Sequence, residues 1–203
     1  VIMSQVEVGF TRKIQWPNIY KYHYVETLIF GDAINRALFP ERIIIGKFTN
    51  NTKVNNNLLK FLEKFNCPIL EFSFEESEFT KAMINIYLAS QITTTNFLNS
   101  TIKNFKTVSW GNIRAALSLD KRIGRYSYLS PGLGISGGNI ERDLQSFRNL
   151  LSKKNKDFSF ISNIQNYSSK FKNWILDNLP KGSKRIGILG LTYKEKTLSQ
   201  KNS

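Results

Sequence analysis

Cysteine is nearly absent from this 203-residue chain, which has a single thiol at Cys67. One cysteine excludes an intramolecular disulfide framework and any metal cluster held by several thiolates. Cys67 is followed by Pro68, and we interpret it as a small buried apolar residue at the start of a strand. The sequence predicts no metal site.

Long apolar runs are also missing. No run approaches the roughly 18 residues that a membrane-spanning helix needs. No leader with charged, apolar and small-residue parts precedes the first strand-like residues, V-I-M-S-Q-V. We therefore predict a cytoplasmic protein with no membrane partner. Because the chain starts in one strand-like run and ends shortly after another, we interpret it as a fragment, and no internal repeat is visible in it.

Acidic residues are few, with 15 Asp and Glu against 29 Lys and Arg and a net charge of +14. Such a charge suits nucleic-acid phosphates, because binding them releases counterions. The lysines are spread among asparagines and serines, however, and form neither a compact basic block nor an aromatic RNA-binding motif. We predict a solvated basic surface and no nucleic-acid partner. Nucleic-acid binding stays open as an alternative that rests on charge alone.

Glycine is concentrated between Ser130 and Asp143, where S-P-G-L-G-I-S-G-G-N-I-E-R-D has four glycines in seven positions. Glycine permits positive φ and lets backbone N–H groups reach a ligand. The I-E-R-D-L-Q-S-F-R run that follows predicts a helix whose N-terminus favours an anion. The stretch therefore predicts a binding loop, and the alternative is a tight glycine turn before an ordinary helix.

The longest helical pattern covers residues 77–99, which contain no glycine or proline. Apolar residues would lie on almost every face of this helix. A helix of this kind is buried between elements or subunits. Lys81 and Asn85 are four residues apart and share one face. A buried lysine must be paired or put to use, so the two residues are candidates for an active site. The alternative is a lysine that extends to solvent beside a surface asparagine.

Two further runs predict strands. The continuous β-branched run Arg42–Gly46 is typical of a strand buried on both faces of a parallel sheet. The Asn-rich residues Asn50–Asn57 predict a loop before an amphipathic helix. The run K-R-I-G-I-L-G-L-T-Y-K, which ends at Lys194, predicts another buried strand. It lacks the third glycine of a dinucleotide fingerprint, so we interpret it as a strand alone.

These segments together resemble the nucleotide-sugar 6-dehydrogenase family, which acts on UDP-glucose or GDP-mannose. The glycine stretch is similar to the family's P-G-x-G-x-G-G-x-C-x-P-x-D, and the family's nucleophilic cysteine falls on Asn139. The long helix is similar to the family's E-x-x-K-x-x-x-N at Glu78, Lys81 and Asn85. Other matches are Ser4, Val6, Gly9 and Thr11, then Glu26, Gly31, Ala33, Pro40, Arg42 and Gly46, then Asp120, Arg122, Ile123 and Gly124, and finally Lys194, Thr197 and Ser203.

The resemblance implies an α/β fold in three parts. Residues 1–75 would be the end of a Rossmann-type NAD-binding domain, whose first strand and glycine loop would lie before Val1. Residues 76–179 would be a central helical dimerisation core with one long helix at Glu76–Asn99. Residues 180–203 would begin a second α/β domain, which binds the nucleotide sugar, with its first strand at Arg185–Leu191. The resemblance also implies a homodimer through the central helices.

The resemblance implies NAD-dependent oxidation of a sugar C6 alcohol and a set of site residues. The catalytic residues would be Lys81, Asn85, Asp143 and Glu26, with Asn139 in the nucleophile position. The substrate-binding residues would be Arg122, Ser130, Gly132, Gly134, Tyr193 and Lys194. The cofactor NAD would contact Gln5 and Lys201. The alternative interpretation of Glu26 is that it is a surface or capping carboxylate. Arg122 is either a surface arginine or a ligand for the substrate of the neighbouring subunit.

Several departures from the family pattern leave the outcome of the reaction open. Asparagine has no nucleophilic sulfur, so Asn139 cannot form the thiohemiacetal and thioester of the second oxidation. Phe30 replaces a carboxylate, and Leu198 and Ser199 replace two aspartates. One alternative is an enzyme that oxidises through an aldehyde hydrate or stops at the aldehyde. The other is a paralogue that binds nucleotide sugar, or acts as a dimer partner, without turnover.

Overall fold

A computed structural model describes residues 1–17, 20–29, 31–132, 134–136, 138–173, 179–180, 182, 184–190 and 192. The elements within these residues are α1 (Phe10–Lys13), β1 (His23–Tyr24), α2 (Ala33–Leu38), β2 (Ile43–Lys47), α3 (Asn56–Glu63), β3 (Ile69–Ser73), α4 (Phe74–Thr101), α5 (Trp110–Leu119), α6 (Gly138–Lys153) and α7 (Ser159–Lys172). None of the helices in the described part of the chain is both long and apolar enough to cross a membrane. The predicted α/β class is confirmed in its coarse form, a small sheet with helices.

The chain forms two compact units. The first unit comprises Val1–Ile84 and the second begins at Asn85, so the division falls inside α4. The long helix predicted at Glu76–Asn99 is confirmed, since α4 runs from Phe74 to Thr101. The uninterrupted run of residues without glycine or proline is the physical reason, because nothing in it breaks the backbone hydrogen-bond ladder.

The first unit is built on a three-stranded sheet in the order β1-β2-β3. Strand β2 pairs parallel with β3, from Ile43 opposite Ile69 to Lys47 opposite Ser73, and antiparallel with β1. All five residues of β2 are buried, which confirms the strand predicted from its continuous apolar run.

The predicted loop at Asn50–Asn57 is too long by two residues. Helix α3 begins at Asn56, because the side chain of Asn55 accepts hydrogen bonds from the N–H groups of Asn57 and Leu58 and so caps the helix. The apolar side of α3 packs on a core cluster of Tyr22, Ile45 and Val54. Cys67 is half-buried and lies two residues before β3.

A buried hydrogen-bond chain joins the sheet to the start of α4. The Nδ1 atom of His23 lies 2.8 Å from the hydroxyl oxygen of Ser77, and that hydroxyl donates to the carbonyl of Phe74 at 2.8 Å. His23 and Ser77 are buried. A Cβ atom at Gly46 would collide with the Ser77 hydroxyl, so glycine is required there for space.

His23 should make stability depend on pH. Burial lowers the pKa of His23 from its ordinary value of 6.5, against a smaller opposing effect of the Glu78 charge, while Lys81 also lowers it. The contribution of neutral His23 is therefore fully present above the unfolded pKa, about 6.5, and is lost as the pH falls through the lower folded value. The expected slope is at most about 1.4 kcal/mol per pH unit.

Urea unfolding of the wild type and of His23→Gln between about pH 7.5 and 5.5 measures this slope. The variant should be less stable at the upper pH, because glutamine fits the buried site poorly, but its stability should change less with pH. His23 is the single histidine of the chain, so no other imidazole contributes. Parallel pH curves for the two proteins would contradict the assignment.

The second unit has a core where α4, α6 and α7 meet around the glycine stretch. Its buried apolar residues are Ala89, Ile135, Leu144, Ile161 and Ile164. Helix α5 contains the W-G-N-I-R-A-A-L segment, and a short connection after Lys153 separates α6 from α7. Among the described residues, Tyr87, Phe97 and Leu98 of α4 have exposed side chains.

The strand predicted at Arg185–Leu191 is wrong for the residues that the structure describes. Lys184–Gly190 has no strand assignment, and Ile186, Ile188 and Leu189 are exposed rather than buried. A strand requires backbone hydrogen bonds to a neighbour, and the described sheet contains only β1, β2 and β3. Leu191 lies outside the described residues, as do Phe30, Trp174, Ile175 and 193–203.

Candidate active site

A buried carboxylate lies at the centre of the second unit. Asp143 is on α6 with only 1% of its surface exposed. The side-chain amide of Asn85, from α4, donates a hydrogen bond to its Oδ2 atom. Arg142 donates from Nε to Oδ1 at 3.2 Å, with about half of its own side chain exposed. A buried charge needs partners, and these two donors occupy one oxygen each.

Asn139 lies in the first turn of α6 and is exposed. It precedes Asp143 by four residues, so the two positions are on the same face of the helix. The N-terminus of a helix favours negative charge and lowers the pKa of a thiol placed there. The position therefore suits a thiolate, while the asparagine that occupies it supplies only an amide.

The glycine stretch and the residue before it are held in place by side chains from three helices. Asn96 of α4 accepts the N–H of Gly132 at 2.8 Å, and Ser168 of α7 accepts the N–H of Ile135 at 2.8 Å. Trp110 of α5 donates from its indole Nε1 to the carbonyl of Leu129 at 3.0 Å. The N–H groups of Gly132 and Ile135 thus already have acceptors within the protein. A ligand on the predicted binding loop would have to use other N–H groups of the stretch.

Gly134 is required in this stretch for two reasons. Its φ is 99°, a conformation that residues with a side chain rarely adopt. An added Cβ atom would lie 2.9 Å from the hydroxyl oxygen of Ser168 and 3.1 Å from its carbonyl oxygen. Ser130 and Gly132 are exposed and remain predicted substrate contacts. Ser168 was missed by sequence reasoning, because nothing near it in sequence marks its contact with residues 134–135.

Lys81 and Glu26 meet in the first unit through the backbone. The half-buried Lys81 donates from Nζ to the backbone carbonyl of Glu26. The carboxylate of Glu26 accepts the N–H of Leu28. Glu26 thus caps its own chain segment, as its alternative interpretation describes, and the half-buried Lys81 has a carbonyl partner. Lys81 and Asn85 stand one turn apart on the continuous helix α4.

Glu78 is a second buried carboxylate, 1% exposed, on α4 in the first unit. Its Oε2 atom accepts the N–H of Gly9 at 2.5 Å, and its Oε1 atom accepts the N–H of Thr11 at 2.8 Å. The family pattern marks Glu78, but its partners are far away in sequence and no local signal identifies them.

Gln5, a predicted cofactor contact, borders an open cleft of about 410 Å³. The cleft is lined by Gln5, Val6, Glu7, Val8, Phe10 and Lys13. The Gln5 Oε1 atom is buried and has no hydrogen-bond partner among the described residues. A buried amide oxygen without a donor is costly, so this atom is suited to accept a hydrogen bond from a ligand.

The remaining predicted contacts are exposed or lie outside the described residues. The Arg122 side chain is 89% exposed and donates to both carboxylate oxygens of Asp120, at 3.0 and 2.7 Å. These hydrogen bonds lower the pKa of Asp120. Tyr193, Lys194 and Lys201 are outside the described residues. In the part of the chain that the structure describes, no three His, Cys, Asp or Glu side chains are grouped so as to hold a metal ion.

Comparison with known proteins places this arrangement in a family. Residues 75–169 match the model of the central domain of the UDP-glucose/GDP-mannose dehydrogenase family, and the chain belongs to that family. Over 207 aligned residues the chain is 30% identical to UDP-glucose 6-dehydrogenase of Campylobacter jejuni, covering 100% of this chain and 52% of that protein. It is 32% identical to UDP-glucose 6-dehydrogenase of Rickettsia conorii, covering 85% and 40%.

The fold is also found in solved structures. UDP-D-ManNAc dehydrogenase from Pyrococcus horikoshii superposes with a TM-score of 0.77 at 20% identity, over 100% of this chain and 51% of that one. UDP-glucose dehydrogenase from Pyrobaculum islandicum gives a TM-score of 0.60 at 24% identity, over 76% and 34%. The chain spans about half the length of the relatives that align with all of it. The solved structures are less than 25% identical to it and establish the fold alone.

Proposed function

We propose that the full-length protein is an NAD-dependent dehydrogenase that oxidises the C6 alcohol of a UDP- or GDP-sugar. Membership of the family supports the reaction class, and the names of the relatives support a nucleotide sugar as substrate. The observation that carries the proposal is the hydrogen bond between Asn85 and Asp143. The buried carboxylate of Asp143, one helix turn from Asn139, provides a proton acceptor, and the half-buried amide of Asn85 provides a fixed donor.

Each residue of the site has a role in this proposal. Asp143 would accept the proton of the C6 hydroxyl or of an ordered water, and Asn85 would hold the oxygen in place. Lys81, one turn before Asn85 on α4, would supply positive charge where the alcohol oxygen becomes negative. Glu26 would act through its backbone, because its carbonyl group accepts the hydrogen bond that orients Lys81.

NAD would supply a hydride acceptor when bound. Gln5 fits one edge of such a cofactor, because its buried amide oxygen has no donor among the described residues and the residue lines an open cleft. Lys201 is a further proposed contact outside the described residues. We also propose that the protein acts in the cytoplasm.

The proposed reaction completes the first oxidation without Asn139. An oriented alcohol, a base and a hydride acceptor are sufficient for that step. Asn139 cannot capture the aldehyde covalently, so the second oxidation would proceed through the aldehyde hydrate or the aldehyde would be released. The same feature favours the second candidate function, a nucleotide-sugar-binding or dimer-partner paralogue that has lost turnover.

We further propose a homodimer through α4 and its neighbouring helices. Tyr87 and Leu98 are exposed on α4 and, being eleven residues apart, lie on one face. Large apolar side chains on one face of a long helix are typical of a surface covered by a partner. In such a dimer the exposed guanidinium of Arg122 would be available to a phosphate or sugar of the neighbouring subunit.

Oxidation assays with the full-length protein test the proposed function. NADH formation is followed with NAD and a panel of UDP- and GDP-hexoses, and the matched variant is Asp143→Asn, which keeps the shape of the buried side chain but removes the base. We expect turnover with at least one nucleotide sugar and a rate about 100-fold lower in the variant. Binding of a nucleotide sugar without NADH from any of them would support the non-catalytic paralogue instead.

A further inference from the structure

The buried carboxylate of Glu78 holds a segment that the proposed chemistry does not involve directly. It accepts the N–H groups of Gly9 and Thr11, which stand at the start of α1. Gly9 has φ of 86°, and an added Cβ atom there would meet nothing within 4 Å. Glycine is therefore needed at this turn for its backbone conformation and not for space.

The turn that Glu78 holds is continuous with the wall of the cleft beside Gln5. Residues Gln5–Val8 and Phe10 line that cleft, and Gly9 lies between them in the chain. At the other end of α1, Lys21 donates from Nζ to the carbonyls of Thr11 and Ile14. The segment is therefore fixed at both ends by side chains, and the orientation of the cleft wall follows from these contacts.

A second contact between α4 and this segment is weaker. Arg12 forms two hydrogen bonds to Glu75, but the two side chains are 38% and 33% exposed. The pair is bidentate, but at this exposure water can replace either partner when the other is removed. Removal of Glu78, in contrast, leaves the buried N–H of Thr11 and the half-buried N–H of Gly9 without their acceptor, which is costly. Glu78 is thus the dominant link between α4 and the Gly9 turn.

We propose that Glu78 is a positioning residue for the cofactor. It fixes the Gly9–Thr11 turn, and with it the Gln5–Phe10 wall of the cleft, to the same helix that carries Lys81 one turn later. This inference rests on the proposed NAD-dependent function. It assigns to Glu78 an effect on cofactor affinity that acts through the backbone and involves no contact with the reacting atoms.

The test is Glu78→Gln in the full-length protein. Glutamine keeps the shape and one acceptor oxygen, but its NH₂ group faces a backbone N–H, so one of the two hydrogen bonds is lost. We expect calorimetry to show NAD binding weakened by about tenfold, the size of effect that one unsatisfied buried donor produces. KM for NAD should rise with it, while kcat and the affinity for the nucleotide sugar should change less than about twofold.

Two further variants separate positioning from a general loss of stability. Gly9→Ala strains the same turn without changing α4 and should weaken NAD binding in the same way, with less than additive loss in the double variant. Glu63→Gln makes the same substitution at an exposed position of α3 and should leave NAD binding unchanged. Hydrogen exchange in Glu78→Gln should be faster at the Gly9 and Thr11 amides but not in β2.

The outcomes distinguish this inference from the proposed function. If the wild type binds NAD and Glu78→Gln binds it equally well, the positioning role is wrong while the proposed function stands. Equal weakening of NAD and nucleotide sugar, with faster exchange in β2, would also overturn it and show a structural role. A wild type that neither binds NAD nor oxidises any nucleotide sugar would refute the proposed function, and this inference with it.

Discussion

Replacing Asn139 with cysteine in the full-length protein is expected to raise the NADH formed per sugar from about one toward about two. In the proposed reaction the first oxidation would convert the C6 alcohol to an aldehyde, and the cysteine thiolate would then add to the carbonyl carbon. Transfer of a hydride from that adduct to a second NAD would leave a thioester, and water would then hydrolyse it to the acid and restore the thiol. The first turn of α6 suits this thiolate, because the helix N-terminus stabilises its charge.

The measurement is NADH per sugar consumed, with a carbonyl trap present to capture released aldehyde. Wild-type protein should give trapped aldehyde, and Asn139→Cys should give more acid and a thioester that hydroxylamine cleaves. Asn149→Cys, at an exposed position further along α6, is the matched control and should behave as the wild type. A wild type that already gives two NADH per sugar, with no change on substitution, would mean that another mechanism completes the oxidation.

Replacing Asn85 with aspartate should reduce turnover by about 100-fold and lower the free energy of unfolding by about 1–3 kcal/mol at neutral pH. Aspartate has the same shape, but its carboxylate would face the buried carboxylate of Asp143 where the amide now donates. Two adjacent carboxylates cannot both ionise at low cost, so one pKa of the pair rises above its usual range.

The sign of the pH effect follows from that raised pKa. The folded variant would bind a proton more tightly than the unfolded chain, so its stability falls as the pH rises through the raised value. Urea unfolding near pH 5 and pH 8 should therefore show a larger deficit at the higher pH. Asn99→Asp, the same change elsewhere on α4, serves as the control. A deficit for Asn85→Asp that is independent of pH would show that the carboxylates are not in contact.

The parts of the fold that sequence predicts are those whose cause is local. α4 was predicted because its residues contain no helix breaker, and β2 because a run of β-branched residues is typical of a strand covered on both faces. The run at 185–191 has the same local character, but the described residues 184–190 have no pairing neighbour in the described sheet. Pairing depends on other parts of a chain, so local pattern alone cannot decide it.

The candidate site was predictable where the residues follow a spacing rule. Lys81 and Asn85 share a face because they are four residues apart, and the family pattern connects Asn85 to Asp143. The structure shows that second contact directly. The partners of Glu78 were not predictable, because Gly9 is 69 positions away in sequence, and Ser168 is 33 positions from Ile135. Such contacts depend on tertiary packing, which leaves no periodic signal.

The hydrogen bonds that Asn96 and Ser168 make to the glycine stretch have a consequence for the thermodynamics of ligand binding. Ordering a free backbone costs about 1–2 kcal/mol per residue, and a glycine-rich loop is especially costly to order. Here Gly132 and Ile135 are already ordered in the folded protein, because side chains of α4 and α7 accept hydrogen bonds from their N–H groups. A ligand that docks on this stretch would therefore lose little of its interaction free energy to loop ordering, and its affinity would report mainly the contacts it makes.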